Sequence, residues 1–280
     1  MKNLEETLNE KVTSNSFLGG GSIADSQKIR TSSGKEYFVK SYSQSKSNIL
    51  KNEVNGLIEI QKSKSIRTPQ IIYYDDNILI LEFIKSGRKN KNFSELFGIQ
   101  LTEMHRLKSD KFGFNENNYI GSNHQINLPL YSNWTDFYWE NRLLYQFKLA
   151  EKHGYVNSDF RKLFNQFESV YRNIIEGTEE EPSLIHGDLW GGNYLVDESG
   201  NPVLIDPAVY YGHREAELGM TILFGGFDSE FYSSYNEAYP LFDGWKERLD
   251  IYKLYHVMNH LNLFGTGYLN QTLSIIKSYL

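Results

Sequence analysis

Three residues between positions 188 and 206 have the types and spacing needed for phosphoryl transfer. Asp188 follows His186 and Gly187, Asn193 lies five positions further on, and Asp206 thirteen after that. A carboxylate can orient an acceptor hydroxyl, while an amide and a second carboxylate can hold Mg²⁺ on a triphosphate. Asp188 is therefore the candidate catalytic residue, and Asn193 and Asp206 are the candidate metal ligands. Two short apolar runs, 194–196 and 203–205, flank the turn-forming 197–202, which predicts a β-hairpin with one cation ligand before it and one at its exit. Trp190 either stacks on a sugar and walls the pocket or is an ordinary core tryptophan. His186 is expected to be a scaffold residue that donates to the backbone.

The Asp-to-Asn interval is that of the kinase catalytic loop H-R-D-x-x-x-x-N. Gly187 replaces the arginine of that pattern, and Asp206-Pro207-Ala208 replaces D-F-G. Without the arginine, no cation stands ready for a phosphorylated activation loop, so constitutive activity is expected in place of switching. ATP requires further groups. Gly19, Gly20 and Gly21 would let backbone N–H groups close on phosphates, with Ser22 adding a hydroxyl. No Gly-Lys-Ser/Thr follows them, so this is not a Walker A loop. Lys40 ends a predicted strand, and Glu53 lies thirteen residues later on a predicted helix. An ion pair between them would fix the ammonium on the α- and β-phosphates. Adenine would dock on the backbone around Glu82, Phe83 and Ile84. Glu215 and Glu217 are candidate carboxylates for bracing the catalytic loop.

These groups need a scaffold. Leu4, Leu8 and Val12 predict a short helix over 3–13, followed by three strands separated by the glycine run and the turn Ser32-Ser33-Gly34. A helix over 46–62 and a hairpin over 71–83 would complete a five-stranded sheet with one helix. The polar, basic stretch 85–93 is a natural connector. From 94 to 280 the pattern is mainly helical. It includes a helix over 93–107 with Asn92 as candidate N-cap, a loop over 112–129, and a long helical stretch from Trp134 to about Gly154. Further helices are expected over 158–175, 230–238, 244–263 and 268–280. The expected class is α+β, with residues 1–84 as an ATP-binding lobe and 94–280 as a catalytic and substrate lobe.

The 280-residue chain is long enough for a large core, and its formal net charge of −6 argues against a dedicated nucleic-acid binder. It has no cysteine, which excludes thiol catalysis, thiolate metal sites and disulfides. Twenty tyrosines and seventeen phenylalanines point to aromatic core packing. The amino-terminal residues lack a signal-peptide core and no apolar run is long enough for a bilayer, so a cytoplasmic enzyme without a membrane partner is expected.

With these residues in place, the chain resembles the fructosamine kinase (ketosamine-3-kinase) family of the protein-kinase-like, aminoglycoside phosphotransferase-related superfamily. The resemblance rests on G-G-G-S-I-A-D-S (19–26), Y-F-V-K (37–40), N-E-V-N-G-L (52–57), L-I-L-E-F-I (79–84), L-T-E-M-H-R (101–106), F-G-F (112–114) and Y-I-G (119–121). It continues through H-G-D-L-W-G-G-N (186–193) and D-P-A-V-Y-Y-G-H-R-E-A-E-L-G-M (206–220). It implies a bilobal protein-kinase-like fold and ATP- and Mg²⁺-dependent phosphorylation of the 3-hydroxyl of a ketosamine, on a small amine or a protein lysine. The 3-phosphate eliminates readily and frees the amine, which amounts to deglycation. Family members often carry a cysteine in the glycine-rich loop, and this sequence does not. A kinase for an aminoglycoside, choline or similar amino-alcohol is the alternative, as is a catalytically silent kinase fold. The protein is expected to be a monomer or a homodimer.

Overall fold

Side chains that point alternately to opposite faces along the strands explain how the sheet is covered on both sides. The computed structural model describes residues 2–18, 25–41, 47–178 and 180–280. Strands β1 (Val12–Phe17), β2 (Asp25–Thr31), β3 (Glu36–Ser41), β4 (Ile71–Tyr74) and β5 (Ile78–Glu82) form one antiparallel sheet in the order β1-β2-β3-β5-β4. A short helix, α1 (Lys2–Leu8), and a longer one, α2 (Ser47–Gln61), accompany it. Ile80 of β5 and Val39 of β3 pack with Leu4 and Ile29, whereas Leu79 and Leu81 pack with Leu50, Val54 and Leu57 of α2. Each such aliphatic side chain contributes about 1.5–3 kcal/mol on full burial. The same parity places Lys40: Val39 faces α1, so its neighbour faces α2. The first helix stops at Leu8, short of the expected 13, because Val12 pairs with Thr31 in the sheet.

The chain then enters a mainly helical region through α3 (Phe93–His105), and Asn92 does not cap that helix with its side chain. Its carbonyl accepts from Leu96 N, and its own N–H donates to Asn90 Oδ1. The segment expected to be a loop contains a small hairpin, β6 (Asn118–Ile120) and β7 (Asn123–Gln125). The expected long helix is divided into α4 (Trp134–Tyr138), a π-helical turn (Trp139–Leu144) and α5 (Tyr145–Lys152). Helix α6 (Ser158–Ile175) is capped by Asn157 Oδ1, which accepts from Phe160 N at 2.8 Å.

Two further strand pairs carry the chemistry. Strands β8 (Ser183–Ile185) and β11 (Tyr210–Gly212) pair antiparallel, as do β9 (Tyr194–Val196) and β10 (Pro202–Leu204). Helices α7 (Arg214–Thr221), α8 (Ser229–Ala238), α9 (Trp245–Phe264) and α10 (Leu269–Lys277) complete the chain. Helix α9 is buried on most of its surface, as a central core helix must be. Around it the aromatic excess becomes packing, with Tyr138 edge-on to Tyr252 at 5.1 Å and Trp134 against Tyr138 at 5.0 Å. The helical region meets the sheet through Arg67, which bonds Glu82 at 2.5 Å and Asp197 at 2.8 Å. Among the described residues, no helix is long and apolar enough to cross a membrane.

Candidate active site

Strands β8 and β11 bring two loops side by side. Past the Ile185–Tyr210 pair the chains diverge, but Ala208 N still donates to His186 O at 2.9 Å. On the other flank Ile205 N donates to Asn193 O at 3.1 Å. His186 locks the two loops together. Its Nε2 donates to Ile205 O at 2.9 Å, and its Nδ1 accepts from Asp188 N at 3.3 Å. These bonds require the neutral ring, and burial pushes its pKa down to about 4. His186 is thus in the scaffold position expected from the sequence.

Gly187 has a packing reason to be glycine. Its φ is +83°, and a Cβ there would lie 2.1 Å from Ala208 O. An arginine would push the two loops apart. Glu217 on α7 secures the loop from behind, accepting from the N–H groups of His186 and of Gly187, the latter at 3.1 Å. Burial pushes the Glu217 carboxyl up to about 7, while these backbone donors pull it back. Glu215, the other candidate brace, instead pairs with Arg248 at 2.6 Å.

Asp188 is half-buried at the mouth of this loop. Asn193 Nδ2 donates to its backbone oxygen at 2.8 Å and to its Oδ2 at 3.0 Å. Burial holds the Asp188 carboxyl well above the usual carboxylate range, with the Asn193 amide acting in the opposite direction. A more basic carboxylate is a better proton acceptor for an alcohol.

Across the cavity Lys40 Nζ donates to Glu53 Oε1 at 2.8 Å and also contacts Asp206 Oδ1. One ammonium therefore serves two carboxylates. Burial pushes Glu53 up to about 7 despite Lys40. Burial acts the same way on Asp206, but there the ammonium prevails and holds the carboxyl below its usual range. Asp206 has φ +55°, a left-handed conformation uncommon outside glycine. Gly56 on α2 allows this assembly, since a Cβ there would stand 3.0 Å from Pro207 Cγ. A mid-helix glycine costs roughly 0.5–1 kcal/mol relative to alanine, and here it lets α2 lie directly on the Asp206-Pro207 turn.

The two halves of the site open on one cavity of about 600 Å³. Its lining includes Lys40, Glu53, Asp188, Asn193, Asp206 and Trp190. Glu82, Phe83 and Ile84 line it too, but Glu82 is committed to the sheet: its N–H donates to Gln70 O and its carboxylate holds Arg67. Trp190 is a cavity wall and not a core residue, edge-on to Phe224 at 5.6 Å. Tyr119, His260 and Phe264 line the same cavity; Tyr119 falls in the Y-I-G stretch of the resemblance, but the sequence analysis assigned none of the three a role in the site. The proposed phosphate loop, Gly19, Gly20, Gly21 and Ser22, lies outside the described residues.

The donor set suits Mg²⁺. Asn193 spends its amide nitrogen on Asp188, leaving its oxygen for a cation, and Asp206 adds a carboxylate. Mg²⁺ characteristically takes one or two such protein oxygens and completes its octahedron with phosphate and water. No set of three or more His, Asp or Glu side chains forms a metal cage among the described residues.

Known proteins share this architecture. The chain is 40% identical over 284 residues to a chloroplastic protein-ribulosamine 3-kinase of Oryza sativa subsp. indica, covering 99% of this chain and 82% of that protein. A solved fructosamine-3-kinase-like protein from Thermobifida fusca superposes with a TM-score of 0.89 at 29% identity, covering 99% of this chain and 97% of the other. An ADP-bound aminoglycoside phosphotransferase, 14% identical at a TM-score of 0.67 and covered to 96% by 99% of this chain, shares the bilobal kinase-like fold. The fructosamine kinase family model matches residues 1–280, and the chain belongs to that family.

Proposed function

We propose that the protein phosphorylates the 3-hydroxyl of a ketosamine with ATP, and so initiates deglycation of a small amine or a protein lysine. The carrying observation is that Asp188, Asn193 and Asp206 share one cavity with the buried Lys40–Glu53 pair. Residues 1–84 would carry the nucleotide half and 94–280 the acceptor half, joined by 85–93. Asn193 and Asp206 would hold a Mg²⁺ ion, which would supply positive charge to offset that of the triphosphate.

The remaining work falls to the chain itself. Asp188 accepts a hydrogen bond from the sugar hydroxyl, orients its oxygen towards the γ-phosphorus, and takes up the proton as the sugar O–P bond forms and the bond from the γ-phosphorus to the β,γ-bridging oxygen breaks, with ADP as the leaving group. Lys40, fixed by Glu53, neutralises charge on the α- and β-phosphates. Asn193 steadies the Asp188 carboxylate through its amide. Glu217 and His186 keep the loop from shifting, which matters because small displacements are costly in transfer reactions.

The test is an acceptor panel of ribulosamine, fructosamine, choline and kanamycin, read by ADP release, with the phosphate position assigned by NMR. Turnover confined to the ketosamines, with phosphate on the 3-hydroxyl, is the expected result. Turnover of choline or kanamycin alone would transfer the assignment to an amino-alcohol kinase, and inactivity on all four would overturn it.

A further inference from the structure

The β6–β7 hairpin takes no part in the mechanism above, yet it buries its polar side chains against the Asp206 loop. Asn118 and Gln125 are cross-strand partners, so the register puts both on one face, where they are 3% and 1% exposed. Asn118 Nδ2 donates to Val209 O at 2.8 Å. Gln125 Nε2 donates to Ala208 O at 2.8 Å and to Asn118 Oδ1 at 2.9 Å. The Tyr255 hydroxyl on α9 donates to Gln125 Oε1 at 2.9 Å. Asn127 Nδ2 donates to Asn118 Oδ1 at 2.9 Å and is itself held by Arg142 at 2.8 Å. Both polar atoms of each amide, Asn118 and Gln125, therefore have partners. Neither amide can turn over without leaving buried donors facing donors.

The carbonyls they hold lie two and three residues beyond Asp206. Ala208 O is also the atom that faces Gly187, so its position sets the spacing between the Asp206 and Asp188 loops. Asp206 itself has φ +55°, a conformation that costs a non-glycine residue roughly 1–2 kcal/mol and persists only where the surroundings impose it. We propose that Asn118 and Gln125 are positioning residues for phosphoryl transfer, holding the Ala208 and Val209 carbonyls so that the Asp206 carboxylate stays in place for a nucleotide-bound divalent cation. This rests on the kinase reading above. It also gives the missing Arg at position 187 a structural counterpart: the Asp206 loop is tied permanently to a hairpin and needs no phosphorylated segment to order it.

The test uses the full-length protein and two near-isosteric variants. Gln125→Glu removes both donated bonds and sets a carboxylate against two oxygens. Tyr255→Phe removes only the hydroxyl that holds Gln125 Oε1. A buried polar group left without its partner is costly, and part of that cost falls on the cation site, so calorimetric affinity for Mg²⁺·ADP should fall about tenfold in Gln125→Glu and about threefold or more in Tyr255→Phe. Affinity for ADP in EDTA should change less than about twofold. Amide hydrogen exchange over 205–212 in the ligand-free protein should quicken by about tenfold in Gln125→Glu. The proposal is overturned if Mg²⁺·ADP affinity and exchange both stay within about twofold of wild type. If Gln125→Glu shows no cooperative melting transition, Tyr255→Phe decides the matter by the same affinity criterion. A wild-type protein that binds Mg²⁺·ADP but phosphorylates no ketosamine would sink the substrate assignment alone, because binding and exchange still judge the hairpin.

Discussion

Asp188 has its Oδ2 engaged by Asn193, which leaves Oδ1 to meet an acceptor hydroxyl. An asparagine at 188 would keep the volume and the polar contact with Asn193 but could not take up a proton. Proton transfer by a positioned side chain is worth about 10²–10⁴-fold, so Asp188→Asn should lower kcat by that much. On the proposed reading nucleotide binding rests on Lys40, Asp206 and the backbone of residues 82–84, so calorimetric affinity for Mg²⁺·ADP should stay within about threefold. Wild-type turnover in this variant would remove Asp188 from the mechanism. The residues that could be found from sequence at this scale were those whose spacing is set by a single loop or by strand and helix parity. Asp188, Asn193 and Asp206 flank one short hairpin, and Lys40 at a strand end pairs with Glu53, thirteen residues later at the edge of the apolar face of α2. Glu215 and Glu217 could not be separated that way. Two residues apart on a helix they point in different directions, and only the tertiary fold shows that Arg248 takes one and the catalytic loop the other.

The elements follow the same division. Strands β2, β3 and β5 and helices α2, α3 and α6 carry apolar periodicity and were legible. The β6–β7 hairpin was not, because its strands are three residues each and its inward side chains are amides, whose partners lie about ninety residues away. The π-helical turn at Trp139–Leu144 lacks any local signature; it carries Arg142, which lies over Tyr210, 4.0 Å from the ring centre. Gly56 did carry a signal, since a glycine within a helix calls for a close neighbour. Gly187 makes the strongest prediction at this scale. An alanine there meets two obstacles, φ +83° and a carbonyl 2.1 Å from its Cβ. Gly34 separates the two, because it has φ +86° and nothing within 4 Å of a built Cβ. Gly34→Ala should cost only the left-handed conformation, about 1–2 kcal/mol in urea unfolding, and Gly187→Ala clearly more, with a loss of kcat. Equal costs would mean that the Ala208 carbonyl yields easily and does not set the loop spacing.

At the scale of the whole molecule, the buried ionisable groups pull stability in opposite directions as pH changes. Burial pushes His186 down to about 4 and His256 to about 3, with His260 and Arg142 also opposing a charge on His256. Each of these histidines binds a proton in the unfolded chain below about pH 6.5 but not in the folded one. Their contribution is therefore fully present above pH 6.5 and is lost as pH falls towards the folded values. Glu53 and Glu217, both raised to about 7, act with the opposite sign. They are protonated in the folded protein while the unfolded chain has already ionised, so their contribution is lost as pH rises from about 4.5 through 7. The two sets oppose each other between these limits. Removing one histidine unmasks the balance. His256→Gln leaves no group to charge at that position, so its stability relative to wild type should improve by about 2–3 kcal/mol between pH 7.5 and pH 4.5. Paired thermal melts across that range measure the difference. Curves for the two proteins that run parallel would mean that His256 is charged in the folded state, contrary to its burial on α9.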